Sequence, residues 1–165
     1  HRKTVKLINN LNKNQLQLKK RALYYLGKRD YSRVELRKKI STYSESLEIS
    51  KVDLELVLDE LEAKDWLSDD RFSKQFVLSR KRKFGARKIA HELKLRGVDE
   101  SIISSVLRDI KDDEFLLAKT IWEKKFNQIP ITIDEKAKQI RFMQSRGIDV
   151  SIIHQILSGK SPEFI

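Results

Sequence analysis

Few residues of this chain have the types and spacing that catalysis requires. The sequence contains no cysteine, no glycine-rich phosphate loop and no G-x-S-x-G nucleophile motif. The acidic pairs Asp69/Asp70 and Asp112/Asp113 each begin a predicted helix, where carboxylates stabilise the helix dipole. The three histidines are isolated from one another and have no metal-ligand spacing: His1, His91 and His154. The sequence therefore predicts a protein that has no enzymatic activity and that needs no cofactor or metal.

The residues that could do chemistry are cations. Residues 71–96 contain ten Lys or Arg and one acid, a net charge of +9 in a chain whose total is +11. Like charges at this density repel each other until an anion such as a nucleic-acid backbone binds. A solvated helix face is the alternative, because Lys and Arg also favour the last turn of a helix, but the excess is larger than that role needs. The candidate contacts are Arg80, Lys81, Arg82, Lys83, Arg87, Lys88, Lys94 and Arg96.

A second basic segment lies nearer the N-terminus. Residues 1–29 contain nine Lys or Arg and no acid, whereas residues 30–70 carry an excess of acids. Blocks of opposite charge predict faces of opposite sign rather than a uniformly solubilising surface. The second candidate patch consists of Lys19, Lys20, Arg21 and Arg29.

Amphipathic helices must position these cations. Five Gly and two Pro in 165 residues, together with 36% charged residues, favour an all-α fold. Ser32 and Glu35 have the spacing of a capping box, which predicts a helix start. Gly85 separates the two helices of the basic stretch, and Gly97 is placed to end the second of them in the left-handed conformation.

The helices belong to a repeated unit. R-G-V-D-E-S-I-I-S-S-V-L at 96–107 and R-G-I-D-V-S-I-I-H-Q-I-L at 146–157 share seven of twelve residues, and a fainter copy lies at 52–61. A period of this length predicts an elongated, curved array of three tandem three-helix repeats. The predicted boundaries are a basic N-terminal arm at 1–16, repeats at 17–67, 68–110 and 111–158, and a tail at 159–165.

Composition also indicates the compartment. The chain has no run of eighteen apolar residues and no signal-peptide pattern at its start, so neither a membrane nor a secreted protein is predicted. The lack of cysteine excludes disulfides and fits a reducing cytoplasm. We expect a soluble cytoplasmic protein.

Three segments resemble the RecX family of bacterial regulatory proteins. They are A-L-Y-Y-L-G-K-R-D-Y-S-R-V-E-L-R-K-K-I, L-S-D-D-R-F-S-K-Q-F-V-L-S-R and F-G-A-R-K-I-A-H-E-L-K-L-R-G-V, within residues 17–158. Family members often have Ala where this chain has Ser73. The resemblance implies a non-enzymatic modulator that lies along the RecA–DNA filament and inhibits filament growth, ATP hydrolysis and strand exchange in recombination and DNA repair. We expect the chain to be a monomer, although the sequence itself does not determine the oligomeric state.

Two other functions fit the same residues. The helices on either side of Gly97 have helix-turn-helix spacing, which would suit an independent, sequence-nonspecific protein binding single- or double-stranded DNA through its backbone. The first two turns of the second of these helices, E-S-I-I-S-S-V-L, contain none of the Arg, Asn and Gln that read base edges. A helical adaptor with a merely solvated basic face is the third possibility. The sequence does not decide whether the cations meet DNA phosphates or acidic surfaces of RecA.

Overall fold

The computed structural model describes residues 12–159, and within that range it contains nine α-helices and no strand. The prediction of an all-α fold is therefore confirmed. The helices of the first half are α1 (Lys13–Leu26), α2 (Arg33–Ser46), α3 (Lys51–Ala63) and α4 (Asp69–Arg80). Those that follow are α5 (Ala86–Leu95), α6 (Glu100–Asp112), α7 (Glu114–Lys125), α8 (Ile133–Ser145) and α9 (Val150–Leu157).

The chain forms two compact units. The first extends to residue 73 and also includes residues 96–98, and the second comprises residues 74–95 and the chain from 99 onwards. In the part of the chain that the structure describes, no helix is long and apolar enough to cross a membrane.

In the first unit, helices α1, α2 and α3 pack against one another. Leu18 from α1, Leu36 and Ile40 from α2, and Leu58 and Leu61 from α3 are completely buried. Each such side chain contributes about 1.5–3 kcal/mol by leaving water. Their spacing follows the helical period, which is why the sequence pattern identified these helices.

The predicted start of α2 is confirmed. The Ser32 side chain accepts a hydrogen bond from the Glu35 N–H, and the Glu35 carboxylate accepts one from the Ser32 N–H. A capping box of this kind satisfies two backbone donors that no helical carbonyl can reach.

The first helix begins earlier than the predicted end of the N-terminal arm. Lys13 is already helical, because Asn12 and Gln15 form a capping box of their own. The sequence predicts that the arm extends to residue 16, because helical apolar spacing begins only at Leu18. The rest of the arm lies outside the described residues, as does the predicted tail beyond residue 159.

In the second unit, α5 packs on α6, and α7, α8 and α9 pack together. Trp122, Met143, Ile148 and Ile153 are among the buried residues of the α7–α9 core. Trp122 keeps its polar edge paired, since its Nε1–H donates to Gln139 Oε1 at 2.9 Å. The predicted left-handed glycine is confirmed at Gly97, and Gly147, one period later, has the same conformation, with φ of +77° and +83°.

Candidate anion-binding site

The basic turn is the connection between α4 and α5. Helix α4 ends at Arg80, and the N–H groups of Lys83 and Phe84 both donate to the Arg80 carbonyl, which closes the turn. Lys81, Arg82 and Lys83 are exposed. Three successive cations on a tight turn cannot all reach carboxylates of their own helix, so they extend into solvent.

Gly85 fixes the position of this turn within the second unit. Its N–H donates to the Arg146 carbonyl at 2.7 Å. A Cβ at this position would lie 2.4 Å from the Gly147 carbonyl oxygen and 2.7 Å from the Glu114 carboxylate. No side chain fits that space, so glycine is required for the close approach of the two backbones.

A buried carboxylate holds the start of α5. Glu114 is 5% exposed, and its Oε1 accepts a hydrogen bond from the Ala86 N–H at 2.9 Å. Burial raises the pKa of Glu114, and the nearby Asp149 carboxylate raises it further, while hydrogen bonds from the Ala86 and Asp149 N–H groups oppose both effects. The carboxylate therefore caps the beginning of α5 and contacts the residue before α9.

Three cations surround one aromatic ring at this turn. The Lys88 ammonium lies 4.4 Å from the centre of the Phe84 ring, the Arg146 guanidinium 5.6 Å and the Arg80 guanidinium 5.7 Å. We call these four residues the Phe84 cluster. Arg80 lies closer to the centre of the Phe76 ring, at 4.9 Å, and Arg146 closer to that of Phe142, at 5.2 Å. The negative faces of aromatic rings attract cations, so these rings together hold the three charges near one another.

Partial pairing leaves the Phe84 cluster strongly positive. Arg80 contacts Glu92 at 3.4 Å, and Lys88 Nζ donates to the Ser145 carbonyl at 3.4 Å, which orients the ammonium without neutralising it. No carboxylate lies within salt-bridge distance of Lys88 or Arg146 in the described residues. Cations that are held in place and not neutralised suit an oxyanion such as a phosphate group.

The other predicted cations have different surroundings. Arg87 is exposed and lowers the pKa of Asp149, although the hydrogen bonds from Ser151 lower it more. Lys94 is exposed, with Glu100 at 3.5 Å. Arg96 belongs to the first unit and pairs with Glu35 at 3.7 Å. The structure therefore places only part of the predicted cation set in one unit, because Arg96 lies in the first unit beside Glu35.

Most of the second predicted patch has local partners in the first unit. Lys19 forms a short ion pair with Glu60 at 2.6 Å, and the Arg29 guanidinium lies 3.6 Å from the centre of the Tyr31 ring. Arg21 lies 4.7 Å from the centre of the Tyr43 ring, and Lys20 is exposed. These cations stabilise their own unit, which reduces the charge available to a partner.

Arg146 is the residue of this site that sequence reasoning missed. It is the last residue before Gly147, in the same place of the repeat as Arg96 before Gly97. The charge count passed over it, because the span around it in the last repeat is almost neutral. The alignment of the two repeats could have identified Arg146, because it occupies the same repeat position as Arg96 and should therefore lie at an equivalent turn.

Within residues 12–159 no group of three or more His, Asp or Glu side chains is placed to hold a metal ion. His91 and His154 are exposed on helices, and His1 lies outside the described residues. The site offers positive charge, hydrogen-bond donors and aromatic rings, and these groups can bind an anion.

Sequence comparisons give the family. Models described as "RecX, second three-helix domain" and "RecX, third three-helix domain" match residues 68–107 and 112–157. A "Regulatory protein RecX" of Ralstonia pickettii is 38% identical, over 90% of this chain and 91% of that protein. One of Chromobacterium violaceum is 40% identical, over 86% and 90%. The chain belongs to the RecX family.

Solved structures agree on the fold. A structure described as "Crystal structure of regulatory protein RecX" superposes with a TM-score of 0.73, covering 92% of this chain and 81% of its own, at 17% identity. RecX from Lactobacillus salivarius superposes with a TM-score of 0.70, covering 90% and 97%, at 18% identity. Likeness at such low identity extends to the arrangement of helices and not to individual side chains.

Proposed function

We propose that this chain is a non-enzymatic regulator of the RecA recombinase. It binds the RecA–DNA filament and lowers filament growth, ATP hydrolysis and strand exchange during recombination and DNA repair. Membership of the RecX family and the name of its relatives, regulatory proteins, support this function. We further propose that it acts as a monomer in the bacterial cytoplasm, without cofactor or metal.

The observation that carries the proposal is the Phe84 cluster. A folded protein gains little stability from crowding Arg80, Lys88 and Arg146 around one ring, because their repulsion offsets much of the attraction to the ring. An anionic partner removes that repulsion. The filament contacts that we propose are the eight predicted cations of the basic stretch, with Arg146 added and with Arg96 ranked lowest because Glu35 pairs with it.

The role of the second basic patch is proposed to be subordinate. Lys20 and Arg21 are exposed and can meet the filament. Lys19 and Arg29 already contact Glu60 and Glu35, so a partner would have to compete with those carboxylates. We expect this patch to adjust affinity and the Phe84 cluster to determine it.

We also propose that the three-helix repeats are the functional divisions of the chain, with boundaries near 17–67, 68–110 and 111–158. The two family models, named as second and third three-helix domains, support the last two divisions. Each repeat would present its own exposed face to the partner, so several weak contacts would add to one stable attachment.

ATP hydrolysis by preformed RecA filaments tests the proposal. Substoichiometric amounts of the wild-type chain are expected to lower the hydrolysis rate, and a K88E/R146E variant is expected to need about tenfold more protein for the same effect. Wild-type chain that binds DNA but leaves hydrolysis unchanged at every ratio would instead identify an independent DNA-binding protein. A matched K136E/K138E variant, at two exposed lysines of α8 outside the proposed contact set, controls for the same change of net charge elsewhere in the chain.

A further inference from the structure

A groove in the second unit lies beside the basic turn. It has a volume of about 620 Å³ and is lined by the turn after α4, the end of α6 and the first two turns of α7. Its apolar residues are Ile110, Leu116 and Leu117, and the Leu116 side chain is 66% exposed. An apolar groove of this size, open to water, is suited to receive a side chain of another molecule.

The polar residues of the groove carry both signs of charge. Lys81 and Arg82 come from the basic turn, and Asp109 and Asp113 come from the end of α6 and the residue after it. All four are exposed, and none of them forms an ion pair with another described residue within 4.0 Å. Their charges are therefore available to an occupant of the groove.

This combination fits a protein segment better than a nucleic acid. Phosphates would be repelled by Asp109 and Asp113, and an apolar surface offers nothing to a sugar-phosphate backbone. A peptide can match every feature at once, with a carboxylate near Lys81 and Arg82, a cation near the two aspartates and an apolar side chain on Leu116.

We propose that this groove docks a segment of the recombinase itself, in which an apolar side chain lies between a carboxylate and a cation. The inference rests on the proposed function and divides its contact set by chemistry. Lys81 and Arg82 then contact protein, whereas Lys83, Lys88 and Arg146 contact phosphate. The two kinds of contact lie on one turn, which would allow the chain to recognise protein and DNA together.

Binding measurements with separated partners test the division. A Leu116→Asn variant keeps the side-chain size and charge while making the exposed position polar. We expect its affinity for immobilised recombinase without DNA to fall at least tenfold, and its affinity for a fluorescein-labelled single-stranded DNA without recombinase to stay within twofold of the wild type. Because Leu116 is 66% exposed, the variant is expected to fold normally, which its circular dichroism spectrum checks.

Two further variants complete the design. Ile131→Asn is the matched control, since Ile131 is 92% exposed and does not line this groove, and it is expected to match the wild type with both partners. An Asp109→Asn/Asp113→Asn variant is expected to bind recombinase more weakly; tighter DNA binding with unchanged recombinase binding would overturn the inference. If the wild-type chain and the Leu116→Asn variant bind recombinase equally well, the proposed docking groove is wrong but the proposed function still stands. Wild-type chain that does not bind recombinase at all overturns the proposed function as well.

Discussion

The helices α2 in the first unit and α5 in the second begin against the same kind of turn. In each unit the turn is an Arg-Gly pair whose glycine is left-handed, and its arginine carbonyl accepts the decisive hydrogen bond. The donor differs: it is the Ser32 hydroxyl, 2.8 Å from the Arg96 carbonyl oxygen, in the first unit, and the Gly85 N–H, 2.7 Å from the Arg146 carbonyl oxygen, in the second. We call these contacts the first joint and the second joint.

A carboxylate supports both joints. Asp69 Oδ1 accepts the Arg33 N–H at 2.7 Å in the first joint, and Glu114 Oε1 accepts the Ala86 N–H at 2.9 Å in the second. Each N–H belongs to the first residue of its helix and has no helical partner. Both joints therefore pair the same two backbone groups, the arginine carbonyl and the first N–H of the helix, but with different partners.

The charge of the two joints is opposite at one position. Three residues beyond Ser32 the first joint has Glu35, which pairs with Arg29 and Arg96, whereas three residues beyond Gly85 the second joint has Lys88. In the first joint both arginines contact the single carboxylate of Glu35, which offsets part of their charge. In the second the basic side chains accumulate around Phe84. The hydrogen bonds of a joint therefore hold the fold together, and the charge of the side chains around it can differ without changing those bonds.

The largest expected effect comes from adding a methyl group to the glycine of each turn. At Gly147 a Cβ would lie 2.6 Å from the Lys88 backbone nitrogen, and at Gly97 it would lie 2.2 Å from Val34 Cγ2. We expect Gly147→Ala and Gly97→Ala each to lower the free energy of unfolding by about 3 kcal/mol, through left-handed strain together with steric overlap. Urea denaturation measures both changes.

A second substitution distinguishes the two glycines. Val34→Ala removes Cγ2, which lies 2.2 Å from a Cβ at position 97, but leaves the Val34 Cβ at 2.7 Å, so in the Gly97→Ala background it should recover only part of the loss. No side-chain truncation can move the Lys88 backbone nitrogen, so the Gly147→Ala loss should persist. Equal recovery in both backgrounds would show that the two turns are packed alike.

The next effect is on DNA binding. Lys88→Glu gives the second joint the charge of the first, and we expect it to weaken binding to single-stranded DNA about tenfold and to flatten the salt dependence, because each phosphate contact contributes about 0.7 to the slope. Glu35→Lys makes the opposite exchange and should steepen the slope. Fluorescence anisotropy over a range of salt concentrations measures both, and equal slopes for the two variants would contradict a special role for the second joint.

A smaller effect is expected at the helix start of the first joint. Ser32 is completely buried, and Ser32→Ala removes both the donor to Arg96 and the acceptor of the Glu35 N–H. We expect a loss of about 1–2 kcal/mol in thermal or urea denaturation. Ser32→Gly should lose less, because glycine is a better N-cap residue than alanine. If glycine is no better than alanine, the cost comes from the lost hydroxyl bonds alone and not from the N-cap preference.

The smallest expected effect is on pH dependence, where the two units differ in sign. Hydrogen bonds from Arg37, and less so from Arg33, lower the pKa of Glu55 in the first unit to about 2, while burial raises that of Glu114 in the second. The stability that Glu55 provides is present above its ordinary pKa of 4.5 and is lost as the pH falls toward 2. Glu114 has the opposite effect: because burial raises its pKa, its protonation at low pH increases the stability of the folded state. Solvent screening limits the Glu55 contribution, because its side chain is 39% exposed.

Amide signals in NMR spectra can follow the two units separately. On acidification from pH 7 to pH 3, amides of α3 should lose protection at lower urea concentration relative to amides of α9. Glu55→Gln should remove most of this difference. A parallel loss in both helices of the wild type would contradict the opposite signs of the two pKa shifts.

Much of the fold was accessible from the sequence. The capping box of Ser32 and Glu35 and the left-handed Gly97 are local signals, and the structure confirms both. The repeat of residues 96–107 at 146–157 agrees with the left-handed conformation that Gly97 and Gly147 share. Local signals succeed because hydrogen bonds within a few residues determine helix ends. The start of α1 was not predicted, because the apolar residues that follow its capping residue, Asn12, are not yet at regular helical spacing.

The site was less accessible, because charge density along the chain does not say which cations meet. Arg96 and Lys94 are close in sequence, yet they belong to different units. Arg146 is about sixty residues from Phe84 and still lies against its ring, since the joint brings the two turns together. The contacts of Glu114 were equally hidden, because a single buried acid has no pattern in sequence.

The hydrogen bonding of the joints also limits which charged residues each joint can carry. In the first joint Glu35 must accept the Ser32 N–H, since the serine hydroxyl has taken the arginine carbonyl; in the second joint the Gly85 N–H makes that bond itself, and position 88 has no capping duty. Lysine at position 35 would leave the Ser32 N–H without its acceptor, a cost that Lys88 does not impose on the second joint. The first joint therefore keeps its acid for a structural reason, whereas the backbone hydrogen bonds of the second joint leave position 88 open to a cation.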